Sequence, residues 1–594
     1  MRIILFFIAF IISIPAKGQK PTDRRLAGLD TFVARVLKEW KAPGVTIAIV
    51  EKNKVVYTGG FGYRDLAQKL PVTENTLFAI GSCTKAFTAS LIGGLVKEGL
   101  VDLDKPIRNY LPELRFNNEY LNDHVTIRDM MTHRTGLPRH DYSWYGSSAT
   151  RPELLKRIEF QQPTAELREK YQYNNFMFLS QGILLEKLTG KSWETNIQDK
   201  IFAPLGMSQT VTSISDMEKS PDHSLAYTLI NDSFALNIPY KNIDAMGPAG
   251  SINSNAKDMA KWLITWINNG KYNGNEIIPS DHVAQASTIQ MAAGAPVSSE
   301  NPDVQNFGYG LAWTVGSYRG HYRVEHGGGI DGFISSTGFF PTDSIGFFIS
   351  SSTGYVTSVV RNWICDRMLG LNYRDWQKQQ RDAFVKTRFA ALMQPKPSDT
   401  LGRIMNTHPS LALSQYAGKY TNKGYGTIEI SLTDSMLQAS YNGTKFDLQH
   451  KHFNVFRGKP DGVQYQDAQP TELFFQLSKD GKIDQLSTPL QPGVDDIEFT
   501  RDIENAALSR AELEKYAGDY QLGPQNIQFV IREETKLFAI LPGQPNYELI
   551  STGNHEFKLK ILDGYKVRFK LDDHGIATEA SFIQPNGIFV AKRK

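Results

Sequence analysis

A chain of 594 residues is too long for one hydrophobic core, which stops growing at about 250–300 residues, so two or three domains are expected. With 41% hydrophobic and 21% charged residues, neither wholesale disorder nor a membrane bundle fits the composition. A formal charge of +3, with no Lys/Arg block interleaved with aromatics, argues against nucleic acid as a partner, and Cys83 and Cys365 form neither a disulfide framework nor a zinc-ligand spacing.

Arg2, the apolar run Ile3–Ile14 and the small-x-small site Ala16-Lys17-Gly18 read as a secretory signal peptide over residues 1–18, with the mature chain starting at Gln19. A dozen apolar residues fall short of the ~20 that span a bilayer, and no Cys follows for lipidation. The expectation is an exported protein, periplasmic or secreted, with no integral membrane span after cleavage. From Val45 to Tyr57 two β-branched runs around a charged turn predict a β-hairpin. Ser82–Glu98 places Ala86, Ala89, Leu91, Ile92 and Leu95 at near-helical spacing, with Gly99 as a stop, so a buried helix begins near Ser82. Further helices are expected at about 175–188 and at Ala256–Trp266, and strands at Tyr309–Val315 and Ile345–Ser351, so residues 19–372 form one domain of mixed α and β.

Residues 373–393 read as a charged amphipathic helix, and 394–410, with Pro395, Pro397 and Pro409, as a linker. Beyond it Tyr416-Ala417-Gly418-Lys419-Tyr420 is echoed by Tyr516-Ala517-Gly518-Asp519-Tyr520, each followed by alternating apolar runs, which predicts two homologous β-domains over 411–502 and 503–594. Strands at Thr427–Ser431, Leu473–Leu477, Ile527–Ile531, Phe557–Ile561 and Lys566–Leu571 suit small antiparallel barrels or sandwiches.

Ser-x-x-Lys occurs twice, at Ser82–Lys85 and Ser254–Lys257. Ser82 opens a buried helix, where backbone N–H groups stabilise developing negative charge, and Lys85 follows one turn on. Burial lowers an amine's pKa towards the range where it takes a proton from a hydroxyl. Ser254 stands ahead of an amphipathic helix with Asn255 and Asp258 beside it, the setting of an N-cap, and is read as structural. Taken alone, the Ser82 motif suits an N-cap equally well.

Tyr173-Asn174-Asn175 stands directly before an apolar helix. A tyrosine beside a cation can act as general base, and Asn175 could orient substrate and amine; the plain alternative is a half-buried aromatic at a helix start. The run Val324-Glu325-His326-Gly327-Gly328-Gly329-Ile330 lies behind a strand that starts near Tyr322. There Gly328 would admit a substrate backbone, Gly329 would offer its N–H to an oxyanion, and His326 would polarise the site or anchor a carboxylate; the alternative is a Gly-rich turn.

Together, Ser82-x-x-Lys85, Tyr173-x-Asn175 and His326-x-Gly328 resemble the three motifs of the class C β-lactamase, D-alanyl-D-alanine carboxypeptidase and D-aminopeptidase superfamily, over about residues 30–371. Leu137-Pro138 after Met131–Gly136 is similar to a loop of that family. The resemblance implies an α+β sandwich, an antiparallel sheet covered by helices with a helical subdomain. It also implies that Ser82 attacks a carbonyl, that Lys85 and Tyr173 share the proton transfers, and that the N–H groups of Ser82 and Gly329 form the oxyanion hole. Two departures stand out: His326 replaces the lysine that binds the carboxylate of β-lactams in many β-lactamases, and Ala165–Lys170 replaces the usual Pro-Gly ahead of the tyrosine. In relatives with similar β-domains, a barrel loop reaches the active site and limits substrate size. His450 and His452 share a strand face without a third ligand, so no metal and no cofactor are expected.

The expectation is therefore an exported serine acyl hydrolase working on amide or ester bonds of small molecules or short peptides, with D-residue peptides and cell-wall (peptidoglycan) fragments as candidate substrates. An esterase or weak β-lactamase would use the same site. A rival of another class is a penicillin-binding sensor or ligand-binding protein that does not turn over.

Overall fold

The computed structural model describes residues 22–230, 232–294, 296–352, 355–393, 402–462, 470–502, 508–533, 535–553, 555–562 and 564–594. The expected signal peptide and linker residues 394–401 lie outside them. Contacts divide the chain into two compact units, one of residues up to Gln415 with Asn422–Phe499, the other of Tyr416–Thr421 with Thr500–Lys594.

The first unit is built on a nine-stranded antiparallel sheet. Its strands are β1 (Gly44–Glu51), β2 (Lys54–Asp65), β3 (Leu70–Pro71), β4 (Met291–Ala292), β5 (Val304–Tyr309), β6 (Thr314–Tyr318), β7 (His321–Ile330), β8 (Phe333–Phe340) and β9 (Ile345–Ser351), in the order β4-β5-β6-β7-β8-β9-β1-β2-β3. Helices cover both faces, so β1 is apolar on both. Val45, Ile47 and Ile49 pack with residues of α1 (Leu29–Glu39) and a C-terminal helix (Val356–Met368), whereas Ala48 and Val50 join the larger core. The period-two alternation of a strand sorts these side chains. The larger core also takes in α2 (Thr84–Lys97), α3 (Phe176–Thr189) and α4 (Ala256–Ile267), the last holding Trp262 flat on Phe87 at 3.8 Å.

Three local expectations change. Tyr309–Val315 is not one strand but the corner between β5 and β6: Gly310 N–H donates to Trp313 O at 2.7 Å, and Ala312 has φ +68°. The cap of α4 is Asn255, whose side chain accepts from Asp258 N–H, one residue past the expected Ser254. Ser254 sits instead in a two-stranded ladder with Phe78, its hydroxyl 2.8 Å from Thr210 Oγ1. Phe557–Ile561 is strand only to Leu559.

The repeat corresponds to two closed eight-stranded antiparallel barrels, between Gly418 and Arg501 and between Gly518 and Arg593. Its residues do equivalent work in each: Tyr420 and Tyr520 donate to the carbonyls of Tyr416 and Tyr516, and Arg501 and Arg593 each lie 5.9 Å over the second tyrosine ring. A β-bulge between His450 and His452 breaks the alternation that would put both on one face.

Candidate active site

Gly81–Cys83 form a single 3-10 turn that runs into α2 and sets Ser82 at its start. Gly81 has φ +53°, and a Cβ there would stand 2.8 Å from Gly329 N, so both conformation and space call for glycine. Lys85, one turn on, is fully buried. Its Nζ has three neighbours: Asn175 Oδ1 at 2.8 Å, Ala249 O at 2.7 Å and Ser82 Oγ at 3.1 Å. Burial first, and the Arg139 guanidinium second, hold its pKa well below the usual lysine value, opposed by Asp141. A neutral amine has two N–H groups and one lone pair. As an ammonium, Nζ donates to all three neighbours; in the neutral form, with the two carbonyl oxygens taking the N–H groups, the lone pair falls to the Ser82 hydroxyl.

Tyr173 donates its O–H to Ser82 Oγ at 2.7 Å. Burial raises its pKa far above the ordinary phenol value, so it stays protonated and acts as a donor. The phenolate base expected from the sequence is not what this environment favours. Asn175 Nδ2 donates to Asp141 Oδ1 at 3.1 Å, and Arg139 pairs with Asp141 while lying 4.9 Å over the Tyr173 ring. Nothing in the sequence pattern marks Arg139, Asp141 or Ala249. Asp141 and Arg139 follow an ordinary loop, and Ala249 contributes only its carbonyl.

The three glycines are not a turn behind β7 but part of it, paired across to Ser336, Ser335 and Ile334 of β8. The turn falls at Asp331-Gly332. A Cβ on Gly328 would lie 1.9 Å from Ile80 O and 3.2 Å from Ser82 N, whereas one on Gly327 meets only Ser335 O at 3.8 Å. None of the three has positive φ, so the requirement at Gly328 is space. This packing sets the Gly329 and Ser82 backbone nitrogens on either side of the tight Gly81–Gly328 contact, and Ser82 and Gly329 line one cavity. His326 is buried, with Nε2 2.8 Å from Tyr309 Oη and Nδ1 2.6 Å from Gly327 O. Burial, with Lys85 nearby, lowers its pKa to about 4. A neutral ring with both nitrogens taken cannot anchor a carboxylate, so that expectation gives way to a packing position 6.3 Å behind the Tyr173 ring.

The segment Ala165–Lys170 is held by the preceding loop: Thr164 N–H donates to Gly136 O, Arg168 N–H to Arg134 O, and the Arg168 guanidinium pairs with buried Asp129. Asn174 ties Tyr173 to the same loop by donating from Nδ2 to Pro138 O at 2.6 Å. The loop that follows is clamped by the first barrel. His140 has φ +48°; its Nε2–H donates to Gln162 O, its Nδ1 accepts from Tyr425 Oη at 2.5 Å, and its backbone N–H donates to Gln491 Oε1. Among the described residues no group of three His, Cys, Asp or Glu side chains is placed to hold a metal.

The family model described as Beta-lactamase matches residues 29–364, and a model described as a domain of unknown function, DUF3471, matches 403–501. The "Unguisins hydrolase ungD'" of Aspergillus campestris is 29% identical over 440 residues, covering 69% of this chain and 78% of that protein. "Protein flp" of Staphylococcus aureus is 25% identical over 341 residues, 56% of this chain and 65% of its own length. Among solved structures, the octameric penicillin-binding protein homologue from Pyrococcus abyssi shares the fold, with a TM-score of 0.52 at 21% identity over 87% of this chain and 98% of that one.

Proposed function

The chain belongs to the beta-lactamase family and is a serine hydrolase, and on that premise we propose that Ser82 is its acylating nucleophile and Lys85 the base that activates it. The observation that carries this is the buried Lys85 amine, whose two N–H groups are taken by carbonyl oxygens and whose third neighbour is the Ser82 hydroxyl. Ser82 Oγ passes its proton to Lys85 Nζ and attacks the substrate carbonyl. The N–H groups of Ser82 and Gly329 receive the oxyanion. When the tetrahedral intermediate collapses, the Tyr173 O–H protonates the leaving nitrogen or oxygen and the Lys85 ammonium gives its extra proton back to the tyrosine oxygen, so the acyl-enzyme holds Ser82 as an ester with Lys85 neutral and Tyr173 protonated. Water then enters by the same route in reverse and releases the acid.

The bonds cleaved in this reading are amides or esters of small substrates, short peptides and peptidoglycan fragments among them. The buried neutral His326 supplies no charge for a β-lactam carboxylate, which favours such substrates over β-lactams. Export belongs to the same proposal on the strength of the run Ile3–Ile14 ahead of Ala16-Lys17-Gly18, and a mature N-terminus at Gln19 is its test.

The deciding experiment is Ser82→Ala against a panel of p-nitrophenyl esters and D-aminoacyl anilides, with Ser254→Ala alongside. Turnover should fall at least about 10³-fold in the first and persist in the second. Equal activity in wild type and Ser82→Ala would sink the assignment. Acylation of Ser82 by a fluorophosphonate without turnover of any panel member would point to a binding protein instead.

A further inference from the structure

The cavity that opens on Ser82 does not end in the catalytic domain. It encloses about 1270 Å³, larger than the ~300–1,000 Å³ of ordinary small-ligand pockets. Its far wall is the inside of the first barrel, where Ile428, Ala439, Phe446, Leu473 and Leu490 line it. Ile428, Ala439, Phe446 and Leu473 come from alternating, inward positions of their strands, as a barrel interior requires, and Leu490 follows the end of the strand Ile483–Thr488. Other buried apolar residues of the barrel, such as Phe456 and Phe475 packed edge to face at 5.6 Å, do not line it, so the cavity takes up only part of the barrel interior.

The chemistry of the wall divides along its length. Arg139, Asp141 and Asp331 stand at the Ser82 end, and Glu472 in the barrel portion is paired with Lys451 and Arg457. The barrel lining is mostly hydrocarbon; Thr444 and Thr471 also line it, and Thr488, 2% exposed, does so with a buried Oγ1 that has no hydrogen-bond partner among the described residues. A peptide segment placed there would bury a row of N–H and C=O groups against a wall that offers almost no partners, at a cost of several kcal/mol for each. A hydrocarbon chain needs none, and the unpartnered Thr488 hydroxyl could meet one polar substituent on it.

We propose that the first barrel is a subsite for the acyl chain of the substrate, so that the enzyme hydrolyses esters or amides of medium-length to long aliphatic acids, the hydrocarbon lying in the barrel lumen while the carbonyl sits at Ser82. The proposal rests on the serine-hydrolase reading above. A hydrocarbon-lined lumen suits the acyl half, which stays on Ser82 between the two half-reactions, while the leaving group departs from the polar Ser82 end.

The test is a series of p-nitrophenyl esters from acetyl to dodecanoyl with the full-length protein. The kcat/KM should rise at least tenfold from butanoyl to decanoyl, since each buried CH₂ favours binding several-fold until the lumen is filled. Ala439→Trp fills the lumen, and Thr444→Trp, at a half-buried position on the cavity wall, serves if the first does not fold. Either should lower the decanoyl-to-acetyl ratio of kcat/KM by at least tenfold. Rates that are flat with chain length, or a ratio unchanged in a folded lumen variant, overturn the subsite. A separate measurement does not need turnover: Ser82→Ala should bind a dansyl-labelled undecanoic acid with a fluorescence increase that Ser82→Ala with Thr444→Trp loses. If no ester is hydrolysed but this binding and its loss are seen, the hydrolase reading fails and the subsite stands; absence of binding refutes the subsite.

Discussion

Replacing Gly328 by alanine should cost about 10²–10³ in kcat/KM, although the change adds one methyl group to an extended strand. The methyl carbon would stand 1.9 Å from Ile80 O and 2.9 Å from its carbonyl carbon, both backbone atoms that no side-chain rotation can move aside. Reaching even a 3 Å contact requires β7 and the Ile80–Ser82 turn to part by about 1 Å, and those are the two segments that carry the Gly329 and Ser82 N–H groups. A displacement of ~1 Å in a reacting geometry costs ~10²-fold, and loss of one oxyanion donor costs about 2.7–4 kcal/mol. Gly327→Ala is the internal control, because its methyl meets only Ser335 O at an ordinary 3.8 Å, and it should stay within about threefold of wild type. Steady-state hydrolysis of p-nitrophenyl acetate measures both, with thermal unfolding confirming that each variant is folded. Activity of Gly328→Ala within fivefold of wild type, or equal losses in both variants, would refute the reasoning.

The charges around Lys85 predict opposite shifts of the acid limb of the pH–rate profile, which in this mechanism reports loss of the Lys85 proton: Arg139→Gln removes a cation that lowers its pKa and should move the limb to higher pH, and Asp141→Asn should move it to lower pH. Tyr425→Phe leaves buried His140 Nδ1 without its donor and should destabilise the first unit by about 1–3 kcal/mol in urea titration while lowering kcat through the loop that carries Asp141. His282 is buried with no hydrogen-bond partner at either ring nitrogen among the described residues, and burial lowers its pKa to about 4. Its neutral form therefore contributes stability that is present above pH ~6.5 and lost as pH falls towards 4, up to roughly 3 kcal/mol, and His282→Leu should flatten the fall in unfolding free energy over that window by about this amount.

Ser82, Lys85 and Tyr173 were legible as helix starts from local periodicity and stop signals, and only their occurrence together with His326-x-Gly328 set them apart from an N-cap and a half-buried aromatic. The glycines were legible as a motif but not as a strand, since Gly327–Gly329 have no β-propensity of their own and are held in β7 by pairing with Ser335 and its neighbours. Why Gly328 must be glycine depends on Ile80, a residue far away in the chain. His326 misled for a related reason: its residue type suggests a charge switch, yet Tyr309 and the Gly327 carbonyl take both nitrogens and burial keeps it neutral. The barrel repeat could be read from its tyrosines and glycines, whereas the joining of the first barrel to the catalytic segment could not. That joining is made by single contacts such as Tyr425 to His140 and Tyr441 to Tyr142 O, which have no sequence signature.

The clamp on His140 also has a consequence in time. Its partners, Tyr425 and Gln491, lie 285 and 351 residues further along the chain. During synthesis the serine, the lysine and the tyrosine all emerge long before the residues that fix the neighbouring loop in its left-handed turn. A nascent chain stalled anywhere before Gln491 thus holds every reactive group in order and still lacks the fastening that sets Asp141 against Asn175. Completion of the first barrel is the event after which the site has its final shape.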